Sequence, residues 1–483
     1  MAAAAEYDVI VIGAGAVGEN VADRAAQGGL RTVIVEAELV GGECSFWACI
    51  PSKTLLRSAA ALRAAQRVGG AREAVTGPLD VSAVLRRRDY MTSDWKDDGQ
   101  VEWLRGAGID LVRGWGTITA PKEVTVTAED GTVTVLTARH AVAVCTGSAS
   151  LLPNIPGLRD SEPWTSRDAT SVQRVPVSLA ILGGGTVGCE MATAYAGFGT
   201  DVHLIARSGL LGTEEPFAGE QVAASLKELG AHVHLDVTTE SVERTDDDRF
   251  RIRLGDGSVV ETDELLVATG RLPRTSGLGL DAFGLEDGAW LSVDDSMRVL
   301  GTDGEPIDDG WLYGVGDVNH RALLTHQGKY QARAAGDAIA ARAHGREVSL
   351  APWGAFVATA DHQAVPQVTF TEPEVASVGL TAAAAEKAGH RIRVVDYPIG
   401  SVSGAYVVAD DYSGTARMVI DEDRKVVVGA TFVGQDVGEL LHSATIAVVG
   451  EVPLDRLWHA VPSYPTISEV WLRLLEAYGR PEK

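Results

Sequence analysis

The chain has 483 residues, 42 Lys+Arg against 66 Asp+Glu, and four cysteines. At roughly 100–200 residues per domain the length suggests about three domains, and a 45% hydrophobic content supplies ample core. The net charge of −24 repels phosphate backbones and anionic lipid, which argues against nucleic acid and membrane surfaces as partners, and four cysteines are too few for a disulfide scaffold.

Met1 to Glu6 shows no basic n-region and no cleavage-site pattern. No run of about 18 apolar residues follows, so no membrane span is expected. The expected compartment is the cytoplasm.

Tyr7-Asp-Val-Ile-Val-Ile-Gly13 is a short β-branched run that stops at glycine, the pattern of a buried parallel strand. Gly13-x-Gly15-x-x-Gly18 follows, then an alanine-rich helical stretch, then a second strand, Thr32 to Val35, ended by Glu36. In this arrangement Gly13 permits the tight turn, Gly15 lets a pyrophosphate approach the backbone, and Gly18 lets the helix lie close on the strand. The pyrophosphate then sits on free N–H groups at the positive helix end. A carboxylate at Glu36 can accept hydrogen bonds from ribose hydroxyls.

After the Gly41-Gly42 turn comes Cys44-Ser-Phe-Trp-Ala-Cys49-Ile-Pro-Ser-Lys53, on a segment that should start a helix. Residues five apart lie about 140° apart on an ideal helix, so a bridge between these cysteines needs distorted helix or loop backbone. A strained, accessible bridge is the reactive kind. No further ligands stand near enough for a zinc site, and no metal-ligating set is read elsewhere. Cys145 and Cys189 read as buried small hydrophobes. Trp47 either packs locally or lines the face presented to an acceptor.

The first pattern then recurs. Leu179 to Leu182 leads into Gly183-Gly-Gly185-Thr-Val-Gly188, a helix, and the strand Asp201 to Ile205. This strand ends in Ala206-Arg207 with no acid. Arginine there accommodates a 2′-phosphate, so NADPH is expected over NADH, with NADH possible. The alternative is that Arg207 is only a solvated surface arginine, and no second arginine follows in Ser208 to Gly212.

Beyond Leu350 the texture changes. Val368 to Phe370, Arg391 to Tyr397, Ala416 to Ile420 and Lys425 to Val433 read as antiparallel strands, with helices at Gly438 to Val449 and Pro453 to His459. Asp246 to Asp248 and Asp421 to Asp423 read as solvated acidic turns. The expected class is α/β, with two Rossmann-like dinucleotide-binding domains and a C-terminal α+β domain.

Strand-GxGxxG-Glu followed by GGxCxxxxCxPSK resembles the flavin-dependent pyridine-nucleotide disulfide oxidoreductases. That family includes dihydrolipoamide dehydrogenase, glutathione and mycothione reductases and mercuric reductase. The resemblance runs over essentially the whole chain. It includes the threonine-glycine turns Cys145-Thr146-Gly147 and Ala268-Thr-Gly270-Arg271, the segment Gly314-Val-Gly316-Asp317, and Pro366 to Pro373, which opens the dimerisation domain.

The resemblance implies an FAD-binding domain over 1–155 and 275–348, an NAD(P)H-binding domain over 156–274, and a dimerisation domain over 349–483. Gly13, Gly15, Gly18, Glu36, Gly42, Thr146, Gly147, Gly316 and Asp317 would hold FAD. Gly183, Gly185, Gly188, Arg207 and Gly270 would hold the nicotinamide nucleotide. Cys49 matches the thiolate beside the flavin, Cys44 the cysteine that attacks substrate, Lys53 the lysine near the flavin, and Glu190 its partner. Electrons would pass from NADPH through FAD to the Cys44–Cys49 disulfide and on to a small acceptor. The active site would be shared between the subunits of a homodimer.

Two departures stand out. Where the family carries His-Pro-Thr-x-x-Glu, this chain has Tyr464-Pro-Thr-Ile-Ser-Glu469. A phenol, ordinarily near pKa 10, is a poor proton acceptor at neutral pH. Mercuric reductase is similar in carrying tyrosine here, but its C-terminal cysteine pair has no counterpart in Gly479-Arg-Pro-Glu-Lys483. Thr186 is smaller than the residue that often gates the nicotinamide pocket.

Three readings follow. The first is an enzyme reducing a quinone, a metal ion or another non-standard acceptor. The second is a disulfide reductase, of low-molecular-weight or lipoamide type, in which Tyr464 or His459 does the proton work. The third is a non-catalytic flavoprotein subunit.

Overall fold

The computed structural model describes residues 5–480. The readings made on Met1 to Ala4 and on Pro481 to Lys483 lie outside the described residues. The chain folds into two compact units, each discontinuous in sequence. The first takes the chain up to Pro51, Asp89–Ser150 and Arg271–His362; the second takes Ser52–Arg88, Leu151–Gly270 and the chain from Gln363 on.

In the first unit a seven-stranded sheet runs in the order Asp110–Arg113, Thr32–Glu36, Ala5–Ile12, Val133–Val144, Glu123–Thr127, Trp115–Ala120, with Leu312–Gly314 also paired to Val133–Val144. Ala5–Ile12 pairs in parallel on both sides, Val11 opposite Ile34 and Ile10 opposite Val142. Both faces are covered, which is why Val9 to Ile12 reads as an unbroken apolar run. Val9 and Val11 pack with Val21, Ala25, Ala335 and Ile339. Ile10 and Ile12 pack on the other side with Val33, Val142 and Trp311. Helices Ala16–Gln27 and Thr325–Ala343 supply the first of these layers.

The second unit holds three sheets. A four-stranded parallel sheet runs His232–His234, Asp201–Ile205, Ser178–Leu182, Glu264–Val267. A three-stranded antiparallel sheet of Thr239–Arg244, Phe250–Leu254 and Val259–Thr262 shares with it the apolar cluster of Leu182, Ile205, Phe250 and Leu254. A five-stranded antiparallel sheet runs Pro366–Thr369, Glu374–Gly379, Val426–Gly434, Gly414–Asp421, Ile392–Pro398. Among the described residues no helix is long and apolar enough to cross a membrane.

The structure departs from the sequence reading in four places. Glu374–Gly379 is a strand whose alanine, serine and glycine hide its character. The three-stranded antiparallel sheet lies inside the region read only for its Rossmann elements. The helix at Gly438 begins as a tight turn and becomes α-helical only over Leu441–Val449, while Pro453 to His459 contributes only Leu454–Leu457. Asp246 to Asp248 is an exposed turn as expected, but Asp421 is buried at 4% exposure. Its carboxylate is held by His390 at 2.9 Å and by the Arg424 guanidinium at 3.0 Å.

Candidate active site

The first glycine turn is closed to side chains. Gly13 sits at φ +101°, and a Cβ there would lie 2.5 Å from the Cys145 carbonyl oxygen; at Gly18 it would lie 1.9 Å from the Gly13 oxygen. Helix Ala16–Gln27 begins at Gly15 with no side-chain cap, so its first N–H groups are a backbone cradle of the kind that binds phosphate. Gly41 bridges to Gly15, with Gly42 beside it. Glu36, at the end of its strand, accepts hydrogen bonds from the N–H groups of Ala14 (2.6 Å) and Glu38 (2.7 Å). Burial pushes its carboxyl above the usual range. Glu19 lies in the helix's first turn. Its Oε1 is buried with no hydrogen-bond partner among the described residues. Burial lifts this carboxyl to about 7 against the pull of Lys329.

The other residues of this group lie in the same unit. Thr146 Oγ1 donates to the Arg274 carbonyl at 2.5 Å, and Gly147 accepts from Arg274 N–H. Gly316 N–H donates to Gln331 Oε1 at 2.9 Å. Asp317 accepts from Ser148 Oγ at 2.5 Å, and Ser148 Oγ in turn accepts from Arg271 Nε at 2.5 Å. Burial raises the Asp317 carboxyl; Ser148 and Arg271 offset part of that.

The second glycine turn repeats the first. A Cβ at Gly183 would meet the Ala268 carbonyl oxygen at 2.3 Å, and one at Gly188 would meet the Gly183 oxygen at 1.9 Å. Helix Thr186–Gly197 starts at Gly185, again uncapped, and nothing stands within 4 Å of where a Gly185 Cβ would be. Arg207 is exposed just past Asp201–Ile205, and Gly270, at φ +147°, follows Glu264–Val267. Thr186 is half-buried, its hydroxyl 3.2 Å from that of Thr369.

The cysteines sit on either side of a helix break. Gly42–Phe46 is helical, Trp47 turns out of it (φ −135°, ψ −3°), and a new helix runs Cys49–Gln66. This is the distorted backbone that the spacing requires. The Cys44 and Cys49 thiols lie within hydrogen-bonding reach of each other, and Cys44 is pushed up by that bond, by burial and by charge on Cys49. Cys49 Sγ is 3.3 Å from Thr325 Oγ1. Thr325 is the first residue of the uncapped 19-residue helix Thr325–Ala343, whose positive end favours a thiolate. Trp47 packs on Phe46, ring centroids 5.7 Å apart.

One turn along the helix from Cys49, Lys53 Nζ lies 2.7 Å from Glu190 Oε2. Glu190 is 3% exposed, and its other oxygen accepts from Phe370 N–H at 3.0 Å. The Phe370 ring lies 5.0 Å from Nζ. Glu190 is therefore a buried carboxylate with both oxygens satisfied, the condition for keeping such a charge inside a protein.

The Tyr464 to Glu469 segment is built differently. Tyr464 is 75% exposed and Glu469 6%. Glu469 Oε1 accepts from Arg473 at 2.5 Å, while Oε2 is buried with no partner among the described residues. His459 is exposed beyond helix Leu454–Leu457. Cys145 and Cys189 are buried; burial raises both thiols, Cys189 to about 12.

Thr325, Glu19, Ser148, Arg271 and Phe370 were not singled out as site residues from the sequence. A local signal existed for two of them, since Ser148 and Arg271 each directly follow a threonine-glycine turn. Thr325 carries no such mark, because only the fold brings it to Cys49.

Residues 7–344 match the model of the pyridine nucleotide-disulphide oxidoreductases, and residues 365–474 that of their dimerisation domain. Mercuric reductase from Staphylococcus aureus is 29% identical over 471 residues, covering 96% of this chain and 81% of that protein. Dihydrolipoyl dehydrogenase from Chlorobaculum tepidum is 32% identical over 480 residues, covering 96% of each. Among solved structures, the Cu(II) complex of the HOCl-induced flavoprotein disulfide reductase RclA from Escherichia coli has a similar fold. It superposes with a TM-score of 0.82 at 22% identity, covering 98% of this chain and 99% of that one. The chain thus belongs to the pyridine nucleotide-disulphide oxidoreductase family, a flavoprotein oxidoreductase that uses FAD and a nicotinamide nucleotide and carries the family's dimerisation domain.

Proposed function

We propose that this enzyme takes electrons from NADPH through FAD to a Cys44–Cys49 disulfide and delivers them to a small acceptor other than an ordinary disulfide: a quinone, a metal ion or a comparable species. The observation that carries this reading is Tyr464. An exposed phenol stands where the family resemblance expects an imidazole, while the thiol pair keeps surroundings suited to holding charge.

The residues at hand fit both nucleotides. The uncapped helix at Gly15, Glu36 at the end of its strand, the unpartnered Glu19 oxygen, and Asp317 with Thr146, Gly147 and Gly316 form the FAD set. The uncapped helix at Gly185, with Gly183, Gly188, Gly270 and the exposed Arg207, forms the NADPH set. Bound FAD supplies the redox chemistry that joins nicotinamide to disulfide.

Two electrons and one proton convert the disulfide to a Cys44 thiol and a Cys49 thiolate. The Thr325 hydroxyl and the positive end of its helix stabilise the thiolate. Charge on Cys49 in turn keeps the proton on Cys44. Lys53, fixed by Glu190, contributes a stationary positive charge. A two-electron acceptor re-forms the S–S bond and releases the Cys44 proton. Two similar proteins support acceptors of this kind: one is a mercuric reductase, and the other was solved as a Cu(II) complex.

The same reading divides the chain into an FAD-binding part (1–155 and 275–348), a nicotinamide-binding part (156–274) and a dimer-forming part (349–483). It makes the molecule a cytoplasmic homodimer in which Tyr464 and Glu469 complete the partner subunit's site.

Steady-state NADPH oxidation against quinones, metal ions, lipoamide, glutathione disulfide and mycothiol disulfide tests it. The expected result is fastest turnover with a quinone or a metal ion. Fast turnover confined to one disulfide overturns the reading in favour of a disulfide reductase using Tyr464 or His459, in which Tyr464→His keeps or raises the rate. Failure of NADPH to bleach the flavin leaves a non-catalytic subunit.

A further inference from the structure

Asp201, His203 and His232 lie on one face at the edge of the four-stranded parallel sheet. His203 and His232 are direct register partners on neighbouring strands. Asp201 is two residues before His203 and His234 two after His232, so all four side chains leave the same side of the sheet. His232 Nε2 stands 3.2 Å from Asp201 Oδ1, and His203 Nε2 stands 3.8 Å from Asp201 Oδ2. The two imidazole rings stack at 4.4 Å. The other nitrogen of His203, Nδ1, is 3.2 Å from His234 Nε2.

We propose that Asp201, His203 and His232 form a binding site for one divalent transition-metal ion of the zinc and copper class. One ligand atom from each lies within 4.8 Å of the other two, close enough for side-chain rotation to bring them to the roughly 2.0–2.2 Å bonds of a zinc ion. Two imidazoles and a carboxylate suit zinc, copper or nickel far better than magnesium or calcium. His234 takes the role of the outer partner that orients a ligating imidazole through its second nitrogen.

Asp201 and His232 are exposed, so an ion has free access and water can take the fourth position. The site clips the sheet's edge strand, His232–His234, to its neighbour. It lies toward the amino ends of these strands, whereas nucleotides bind at the carboxyl ends of such sheets. Metal binding therefore leaves NADPH binding intact. This site is separate from the thiol pair, which is itself a potential metal ligand.

The test is Zn²⁺ and Cu²⁺ titration of the tag-free, oxidised holoenzyme in competition with a chromophoric chelator. Wild type is compared with His232→Ala, Asp201→Asn and a Cys44→Ser/Cys49→Ser double variant. The expected result is one ion per chain, kept in the cysteine double variant and weakened about 10- to 100-fold or more by His232→Ala or Asp201→Asn. Turnover without added metal should be unchanged in the two sheet-edge variants. The Cu²⁺ spectrum should show coupling to two imidazole nitrogens in wild type and to one in His232→Ala. Binding that vanishes with the cysteines and is indifferent to His232→Ala overturns the proposal, as does failure to compete with a micromolar chelator. Because His232 is exposed, unchanged circular dichroism in His232→Ala separates lost ligation from lost folding.

Discussion

The two glycine turns have nearly the same backbone and quite different surroundings. In each, the last glycine sits 1.9 Å, in Cβ terms, from the oxygen of the first, and in each the helix starts uncapped. Around the first turn stand two half-buried acids, with Glu36 closing onto Ala14 N–H and Glu19 unpartnered at one oxygen among the described residues. Around the second, the residue after the last glycine is the buried Cys189 in place of an acid, and the strand beyond ends in the exposed Arg207. On the reading proposed above, the glycines shape a phosphate cradle suited to any dinucleotide, and the side chains beside each turn select which dinucleotide it takes.

The largest expected effect tests what the turns share. Gly18→Val drives a side chain into the Gly13 carbonyl, and the purified protein should lose FAD, read as loss of flavin absorbance. Gly188→Val makes the same collision in the second turn. That protein should stay yellow while NADPH no longer reduces its flavin. If both variants retain both nucleotides, the likeness of the turns has no functional meaning.

The remaining predictions test how they differ. Glu19 holds its proton to about 7 when folded, against an ordinary value near 4.5. Between those values the folded chain binds more protons than the unfolded one, so stability falls as pH rises through that window. At about 1.4 kcal/mol per unit the loss reaches at most about 3.5 kcal/mol above pH 7. The stability read from denaturant melts of the FAD-stripped protein between pH 5 and pH 8 should fall more steeply with pH in wild type than in Glu19→Gln, which keeps only the contribution of the other raised carboxyls such as Glu36. Glu36→Ala removes an acceptor of charge-assisted bonds worth about 2 kcal/mol, so FAD should dissociate roughly 30-fold more readily, measured by equilibrium dialysis. The smallest effect belongs to Arg207→Ala. The KM for NADPH should rise about tenfold, near 1.4 kcal/mol, with that for NADH little changed; equal changes for both nucleotides would remove Arg207 from phosphate recognition.

Both turns, the cysteine pair and the tyrosine departure could be read along the chain because each is complete within a few residues. Gly18 and Gly188 are each forced by a carbonyl five positions away, and that leaves its mark locally. So does a cysteine spacing that an unbroken helix could not bridge, which the break at Trp47 accommodates. The acidic run at Asp421 could not be read this way. Its first carboxylate is buried because strand Gly414–Asp421 carries it into reach of His390 and Arg424, and nothing in three consecutive acids signals that. Strand Glu374–Gly379 escaped because its small residues carry little β preference, and its place between two strands is set by pairing.

The sequence alone determined the family, the two tight glycine turns with their uncapped helices and the thiol pair, since these rest on backbone geometry that a short motif dictates. Only the tertiary structure placed Thr325 against Cys49, linked Ser148 and Arg271 to Asp317, joined the second Glu190 oxygen to Phe370 N–H, and gathered Asp201, His203 and His232 at one sheet edge. These contacts join residues tens to hundreds of positions apart. At the sheet edge they depend on strand register, where a slip of one residue would turn every side chain to the opposite face.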